Sequence, residues 1–292
     1  MIARIRTRPL FGIHRRAGSR RNATWPLYAM AVALSVVFLF PLFWMATTSL
    51  KTMEQAYAFP PRWIPNPIMW ENYQRLFTEL PFFAFSANSV LIAVLNTAGV
   101  VFTSALCAFG FARLRARGRD FLFIVLLSTI MLPYQVILVP TFILFKHLGW
   151  IDTLLPLVVP AYFGGGAFNV FLLRQFFMTI PFELDEAAII DGASWFTIFI
   201  RILLPLSKPA LATVAVLNFV SVWTDFFGPL IYLNSLEKMT LAVGLAFLRG
   251  QHTALLTLMM AGAMYSTVPM LIIFFLAQRY FVEGIQLSGL KG

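Results

Sequence analysis

"EAAIIDGASWFTIFIRILLPLSKP", residues 186–209, lies between two long apolar runs. It opens on a carboxylate, breaks at Gly192, turns apolar and stops at Pro209. Around it stand Glu183, Asp185, Glu186 and Asp191, four of the 12 acidic residues of the chain. Just upstream, "TIPFELDEAA" (179–188) has the marks of a helix start. Pro181 suits the first helical position, and acids in the first turns favour the positive end of the helix dipole. Gly192 has no Cβ, so it can end that helix or admit another backbone. Ser194 suits the cap of a second helix, Trp195 to Leu203. Pro205 and Pro209 keep this helix from running straight into the next apolar run. The expectation is a bent helix–turn–helix of roughly 25 residues, where common helix connections take about 2–8.

The surroundings explain why so structured a connector is needed. Of 292 residues, 60% are hydrophobic and 12% charged, and Phe alone fills 31 positions. Soluble domains carry about 25% charged residues. Lipid is therefore the expected solvent, and the segment joins two membrane spans. Six stretches reach the roughly 20 apolar residues of a spanning helix. They are Pro26–Thr48, Ser86–Phe111, Phe121–Phe145, Leu154–Phe177, Pro209–Leu233 and Leu255–Tyr280. "MTLAVGLAFL" (239–248) is too short to span. The predicted fold class is an all-α membrane protein of six transmembrane helices.

Lys and Arg set the orientation, because they stay on the cytoplasmic side. Arg4, Arg6, Arg8, Arg15, Arg16, Arg20 and Arg21 crowd the N-terminal tail, and Arg113, Arg115, Arg117 and Arg119 fill "RLRARGRD" (113–120). With Arg174, Arg201, Lys208, Arg279 and Lys291, sixteen of the 22 basic residues fall on one side. Both termini and the 178–208 segment are then cytoplasmic. The net charge of +10 sits in short tails beside apolar runs, which argues for orientation and against nucleic-acid binding. One cysteine, Cys107, allows no disulfide within the chain, and the three histidines show no metal-ligand spacing. The loop at 49–85 faces outside. Pro60, Pro61, Pro65 and Pro67 forbid a continuous helix there, and Trp63, Trp70, Tyr73 and Phe77 place it on the membrane surface or against the helices.

Pattern alone leaves two uses for residues 178–208 open: an amphipathic helix lying on the membrane, or a docking surface for another protein. A resemblance to a known family favours the second. Glu186-Ala187-Ala188, three residues, Gly192, nine residues, Ile202, one residue and Leu204-Pro205 resembles the EAA loop of binding-protein-dependent ABC importer permeases. The longer form through "LPLSKPALATV" is similar to the carbohydrate branch, in its six-span, second-permease type. "SLK" (49–51), "NS" (88–89), "FGFAR" (109–113), "MLPYQVILVP" (131–140), "FLLRQFF" (171–177), "WTDFFGPL" (223–230) and "GIQLSGLKG" (284–292) resemble the same family. Thr224 stands where the family usually has Asn, and Ser288 and Leu290 depart from its usual tail.

The resemblance implies four segments: a basic cytoplasmic tail (1–25), the first helix with its outside loop (26–85), the importer transmembrane core (86–282) and a cytoplasmic C-terminal tail (283–292). It implies a permease subunit in a bacterial cytoplasmic (inner) membrane, importing a sugar or oligosaccharide, an acidic one included. It also implies three partners: a homologous second permease, an ATPase dimer and an extracytoplasmic solute-binding protein. No GxxxxGK[ST] loop occurs in the sequence, so ATP and Mg belong on the ATPase and this chain is expected to need no cofactor and to be no enzyme. Glu186, Ala187, Ala188, Asp191, Gly192, Ile202, Leu204 and Pro205 would couple the permease to the ATPase. In the family this segment sits in a cleft on that subunit.

Four further features belong to the spans. Asp225 is the acid inside a predicted span, which is a functional hypothesis by default. It can face the solute path with Asn218 and Trp223, or it can cap a helix and bond a neighbouring span. Arg174 is expected to snorkel or to pair with the acidic segment. The glycines of "YFGGGAF" (162–168) point to close helix packing or a hinge, and Pro133 and Pro140 to kinks that free the carbonyls of Thr129 and Val136. A secondary transporter would show several intramembrane ionisable groups and paired broken helices, which this sequence does not. A non-sugar ABC importer permease fits less well beyond Gly192. HExxH, GxSxG and Cys/His pairing are all absent, which leaves an intramembrane enzyme without a catalytic set.

Overall fold

The computed structural model describes residues 25–250 and 256–289, with side chains at 25–248 and 256–278. The arginine-rich N-terminal tail and Lys291 lie outside the described residues. The described chain is helical, with no strand. Four helices are long and apolar enough to cross a membrane, or six if each of two bent pairs counts as one span.

Helix α1 (Trp25–Ser49) is exposed along nearly its whole length, as a helix bathed in lipid would be. The outside loop folds back on it. Trp63 packs on Phe40 and Trp44, at 5.8 and 5.5 Å between ring centroids. Helix α2 (Glu71–Glu79) follows, and Tyr73 shares a hydrogen bond of 2.9 Å with Ser49. Lys51 of "SLK" is buried over the Trp44 ring, 3.9 Å from its centroid, and burial pushes its ammonium pKa down. The loop therefore packs on the helices.

Helix α3 (Phe82–Arg113) organises the rest. At 1.5 Å per residue it is about 48 Å long, more than the roughly 30 Å hydrocarbon core. Two apolar cores form at its two ends. One gathers Val100, Phe109, Leu173, Phe177, Phe199 and Leu203 at the Arg113 end. The other gathers Leu76, Phe82, Phe85, Trp223, Leu241 and Leu258 at the Phe82 end.

The third apolar stretch is not the one helix expected over Phe121–Phe145. Helix α4 (Arg119–Ser128), with a tight turn to Met131, meets helix α5 (Tyr134–His147) at 97°. Pro133 accounts for the break. It forces Leu132 into an extended conformation (φ −80°, ψ 112°), as a residue before proline prefers. The freed Thr129 carbonyl is not orphaned, because Leu132 N donates to it at 3.2 Å. Pro140 lies inside α5 without ending it.

The fourth stretch is also interrupted. Helix α6 (Leu155–Val158) and a tight turn through Tyr162 lead into Gly164, Gly165 and Gly166, all with positive φ, before α7 (Ala167–Thr179). Ser104 of α3 donates to the Gly165 carbonyl at 3.0 Å. Close packing is thus the use of Gly165. Helices α8 (Glu183–Ile190) and α9 (Trp195–Ile198) form the connector, and α10 (Lys208–Trp223) follows at 77° to the Trp195–Leu206 arm. The fifth stretch breaks again at 224–226 before α11 (Phe227–Tyr232), so it does not run unbroken from Pro209 to Leu233. Helix α12 (Leu241–Gly250) and helix α13 (Leu256–Gly289) complete the chain.

Candidate functional site

The connector has the expected shape, and each corner has an identifiable cause. Helix α8 ends at Gly192, whose φ of +82° is left-handed. Gly192 N donates to Ile189 O at 3.0 Å and Ala193 N to Ala188 O at 2.9 Å. This pair of bonds is the Schellman closure, which satisfies carbonyls the helix leaves open. Ser194 then caps α9, its Oγ accepting from Thr197 N at 3.2 Å. The arm widens into a π turn over Phe199–Leu203 and closes with a short turn, Leu204–Leu206.

Burial sorts the candidate coupling residues. Glu186, Ala187, Asp191 and Gly192 are exposed, while Ala188, Ile202 and Leu204 pack against the core at the Arg113 end. Pro205 is exposed, between the buried Leu203 and Ser207. Ile190 (85% exposed) and Phe196 (65%) stand out beside the carboxylates, so the face is acidic and apolar together. A cleft of about 620 Å³ opens there, with Arg115, Phe182, Glu186, Ile189 and Trp195 in its lining. Among the described residues neither Glu186 nor Asp191 is in an ion pair.

Asp185 behaves differently from its acidic neighbours. It is fully buried, and its carboxylate Oδ2 lies 3.2 Å from Nε of Arg113. Burial pushes its carboxyl pKa up, against the opposing pull of Arg113. Counted along the sequence, Arg113 belonged to a basic loop and Asp185 to the helix dipole. The readable signal was the three-residue spacing from Asp185 to Ala188, which puts both on the core face of α8. Arg174, by contrast, does not pair with the acidic segment. It lies 4.1 Å from the Phe123 ring centroid and donates to Phe111 O at 3.2 Å.

A second cavity, of about 510 Å³, opens among α3, α5, α6 and α11. Asn96, Tyr134, Thr141, Asp225 and Tyr232 supply its polar lining. Asp225 Oδ1 accepts from Gly228 N at 3.2 Å, so the same side chain borders the cavity and caps the turn into α11. The Tyr134 and Tyr232 hydroxyls are 3.4 Å apart. The other two candidates lie elsewhere. Asn218 donates to Asn96 Oδ1 (3.0 Å) and Thr97 Oγ1 (3.2 Å), and meets the cavity only through Asn96. Trp223 is buried on Phe219 and donates to Ser266 O at 3.0 Å, away from it. No cluster of metal-ligating side chains occurs among the described residues.

Comparison with known proteins places this geometry. Residues 100–286 match the family model for the binding-protein-dependent transport system inner membrane component. The arabinooligosaccharides transport system permease protein AraQ of Bacillus subtilis is 30% identical over 281 residues, 94% of this chain and 99% of that one. The trehalose/maltose transport system permease protein MalG of Thermococcus litoralis is 32% identical over 270 residues, 90% of this chain and 95% of that one. The fold is similar to a chain of a bacterial ABC transporter involved in the import of the acidic polysaccharide alginate. That likeness has a TM-score of 0.79 at 24% identity and covers 90% of this chain and 98% of that one. A chain of the bacterial alginate transporter in complex with an alginate pentasaccharide-bound periplasmic protein aligns with a TM-score of 0.64 at 18% identity, over 88% and 93% of the two chains. With its apolar spans and this match, the chain is a multi-pass membrane protein that belongs to the family of binding-protein-dependent transport system inner membrane components.

Proposed function

We propose that this chain is the permease subunit of an ATP-driven, binding-protein-dependent importer of a sugar or oligosaccharide. The connector carries the reading: a braced, bent helix pair presents Glu186 and Asp191, exposed and without an ion-pair partner among the described residues, on an acidic and apolar face. Such a face fits a cleft on another protein, and its closures at Gly192 and Ser194 make it a lever rather than a loose loop. Relatives described as permeases for arabinooligosaccharides and for trehalose and maltose support a sugar solute. The likeness to an alginate transporter keeps acidic oligosaccharides within that class.

In this reading the chain crosses the cytoplasmic (inner) membrane six times. Each bent stretch counts as one crossing, and both termini are cytoplasmic. The importer core occupies residues 86–282, behind the basic tail (1–25) and the first helix with its loop (26–85) and ahead of the C-terminal tail (283–292). It pairs with a homologous permease and receives solute from an extracytoplasmic binding protein. ATP and Mg stay on a separate ATPase dimer docked at Glu186, Ala187, Ala188, Asp191 and Gly192, with Ile202, Leu204 and Pro205 joining the lever to the fifth span. The cavity beside Asp225 lies on the solute path, with Asn218 and Trp223 bracing the helix behind it. Nucleotide-driven closure of the ATPase then biases the permease between two states.

The test is co-purification with the ATPase subunit, followed by hydrolysis driven by the loaded binding protein in lipid. Glu186→Lys or Gly192→Asp is expected to leave insertion intact and to reduce assembly or coupling. Unchanged co-purification and unchanged stimulated hydrolysis in both variants would overturn the docking role.

A further inference from the structure

We infer that Arg113 and Asp185 pin the coupling segment to α3, so that α3 is the rod that carries its movement to the cavity beside Asp225. The inference rests on the importer reading above and names the internal route of coupling, with Arg113 and Asp185 as positioning residues.

The pin is built from several contacts at one end of one helix. Arg113 is the last residue of α3, and its side chain is 4% exposed. Its Nη2 donates to Ile180 O at 2.9 Å, just before α8 begins. Its guanidinium carbon lies 5.6 Å from the Phe182 ring centroid. Its Nε faces Asp185 at 3.2 Å, from within α8 itself. One turn back along α3, Phe109 packs on the second arm, 5.1 Å from Phe199 and 6.4 Å from Trp195. Both arms of the connector are thus held by the last turn of α3.

This ion pair is a poor device for stability alone. Neither Asp185 oxygen accepts an aligned hydrogen bond, and Arg113 is the ion-pair partner this buried carboxylate has among the described residues. Well-packed apolar side chains commonly do as well or better at such positions. What a buried ion pair adds is one defined position, because sliding either partner leaves a charge unmatched. That property suits a joint that must transmit movement without slip.

The rest of α3 suits a rod. It runs unbroken from Phe82 to Arg113 with no internal proline. At Asn96 it borders the cavity, and the same Asn96 holds α10 through Asn218. The covalent route from the connector into α10 turns through 77°. The third, fourth and fifth stretches are all interrupted, so α3 is the straight path from the connector to the cavity wall.

The experiment uses the assembled importer in lipid vesicles: both permeases, the ATPase dimer and the binding protein. Maltotriose, arabinotriose and triguluronate are the uptake probes, and solute moved per ATP hydrolysed is the readout. Arg113→Gln and Asp185→Asn are expected to hydrolyse ATP when stimulated but to lower that ratio about ten-fold, within the range of ordinary coupling effects. Because a single change leaves one charge unmatched and can unfold the protein, the apolar double Arg113→Met with Asp185→Leu is the deciding variant. It is expected to match wild-type thermal stability and still to show the lowered ratio. A wild-type ratio in the stable double variant would overturn the pin while leaving the importer reading intact. Wild-type protein that moves none of the probes in an ATP-dependent way would overturn the parent reading and the pin with it.

Discussion

Lys238 reaches Asp152 across 86 residues of chain, with its ammonium 2.8 Å from the carboxylate Oδ2 and 2.7 Å from the Asp152 carbonyl. The same carboxylate accepts from Asn234 N (2.9 Å), Ser235 N (2.8 Å) and Ser235 Oγ (2.6 Å). Asp152 itself sits at a left-handed φ of 59°. One side chain thus staples the loop after α5 to the loop after α11. The Lys238 contact first, and then those from Ser235 and Asn234, hold its carboxyl well below the usual carboxylate range.

The sign of the pH dependence follows. A carboxylate with a depressed folded pKa contributes stability that is complete above its unfolded value of about 3.9 and is lost as pH falls through the folded one. The staple is therefore expected to be unchanged from pH 7 to pH 5. Asp152→Asn keeps an acceptor and tolerates the left-handed backbone but loses the charge. Amide exchange at Asn234 and Ser235 should rise about five-fold or more in that variant, as charge-assisted bonds become neutral ones. Equal exchange in the two proteins would show that the staple does not hold this loop.

Neighbouring glycines in the fourth stretch should differ sharply in tolerance. A Cβ on Gly165 would stand 2.6 Å from Ser104 N and 2.8 Å from Val100 O, backbone atoms of α3 that cannot swing aside. A Cβ on Gly164 would meet nothing within 4 Å, although its φ of +104° also disfavours a side chain. Gly164→Ala then carries only the backbone term, about 1–2 kcal/mol. Gly165→Ala adds overpacking of about 1–3 kcal/mol. Thermal unfolding in detergent should rank Gly165→Ala clearly below Gly164→Ala, and equal midpoints would contradict the close approach.

The connector was legible because its signals are local. Pro181, Gly192, Ser194 and Pro209 each constrain their own backbone, and the structure uses Gly192 and Ser194 as their chemistry dictates. The apolar runs were legible for a similar reason, since lipid demands length and composition. Their breaks were less so. A kink at Pro133 was expected, yet its 97° depends on how α4 and α5 pack. The interruption at 224–226 has no proline at its hinge and shows only once Asp225 is seen to bond Gly228 N. The buried Arg113–Asp185 pair was hidden because charge counting treats a basic loop as solvated, and burial of a charge depends on a distant partner. Arg174 shows the reverse: it was expected to snorkel or to pair with the acids, and an aromatic ring and a carbonyl stand where an acid would.

The turn between α8 and α9 offers a graded test of the lever. Ser194 Oγ accepts from Thr197 N and also shares a bond of 2.9 Å with Thr197 Oγ1. Ser194→Ala should destabilise α9 by about 1 kcal/mol, and Ser194→Asp or Ser194→Asn should restore it. The readout is protection of the Thr197 amide from hydrogen exchange, together with ATPase co-purification. If protection falls in Ser194→Ala but co-purification does not, the second arm plays no part in docking.

Asp225 joins cavity and scaffold, and two variants separate these roles. Its Oδ1 holds Gly228 N, and the short helix that follows carries Phe227, Gly228 and Tyr232 into the cavity wall. Asp225→Asn keeps an oxygen in the same place, whereas Asp225→Ala leaves that N–H without its acceptor at a cost of about 1–2 kcal/mol. Because the wall rather than the charge is built by this bond, uptake by Asp225→Asn should stay within about three-fold of wild type. Asp225→Ala should lose about ten-fold, the scale of one unmade hydrogen bond. Proteoliposome uptake at saturating and limiting solute would check both. An Asn variant as impaired as the Ala variant, with α11 still protected from exchange, would move the role from the cap to the carboxylate charge facing the solute.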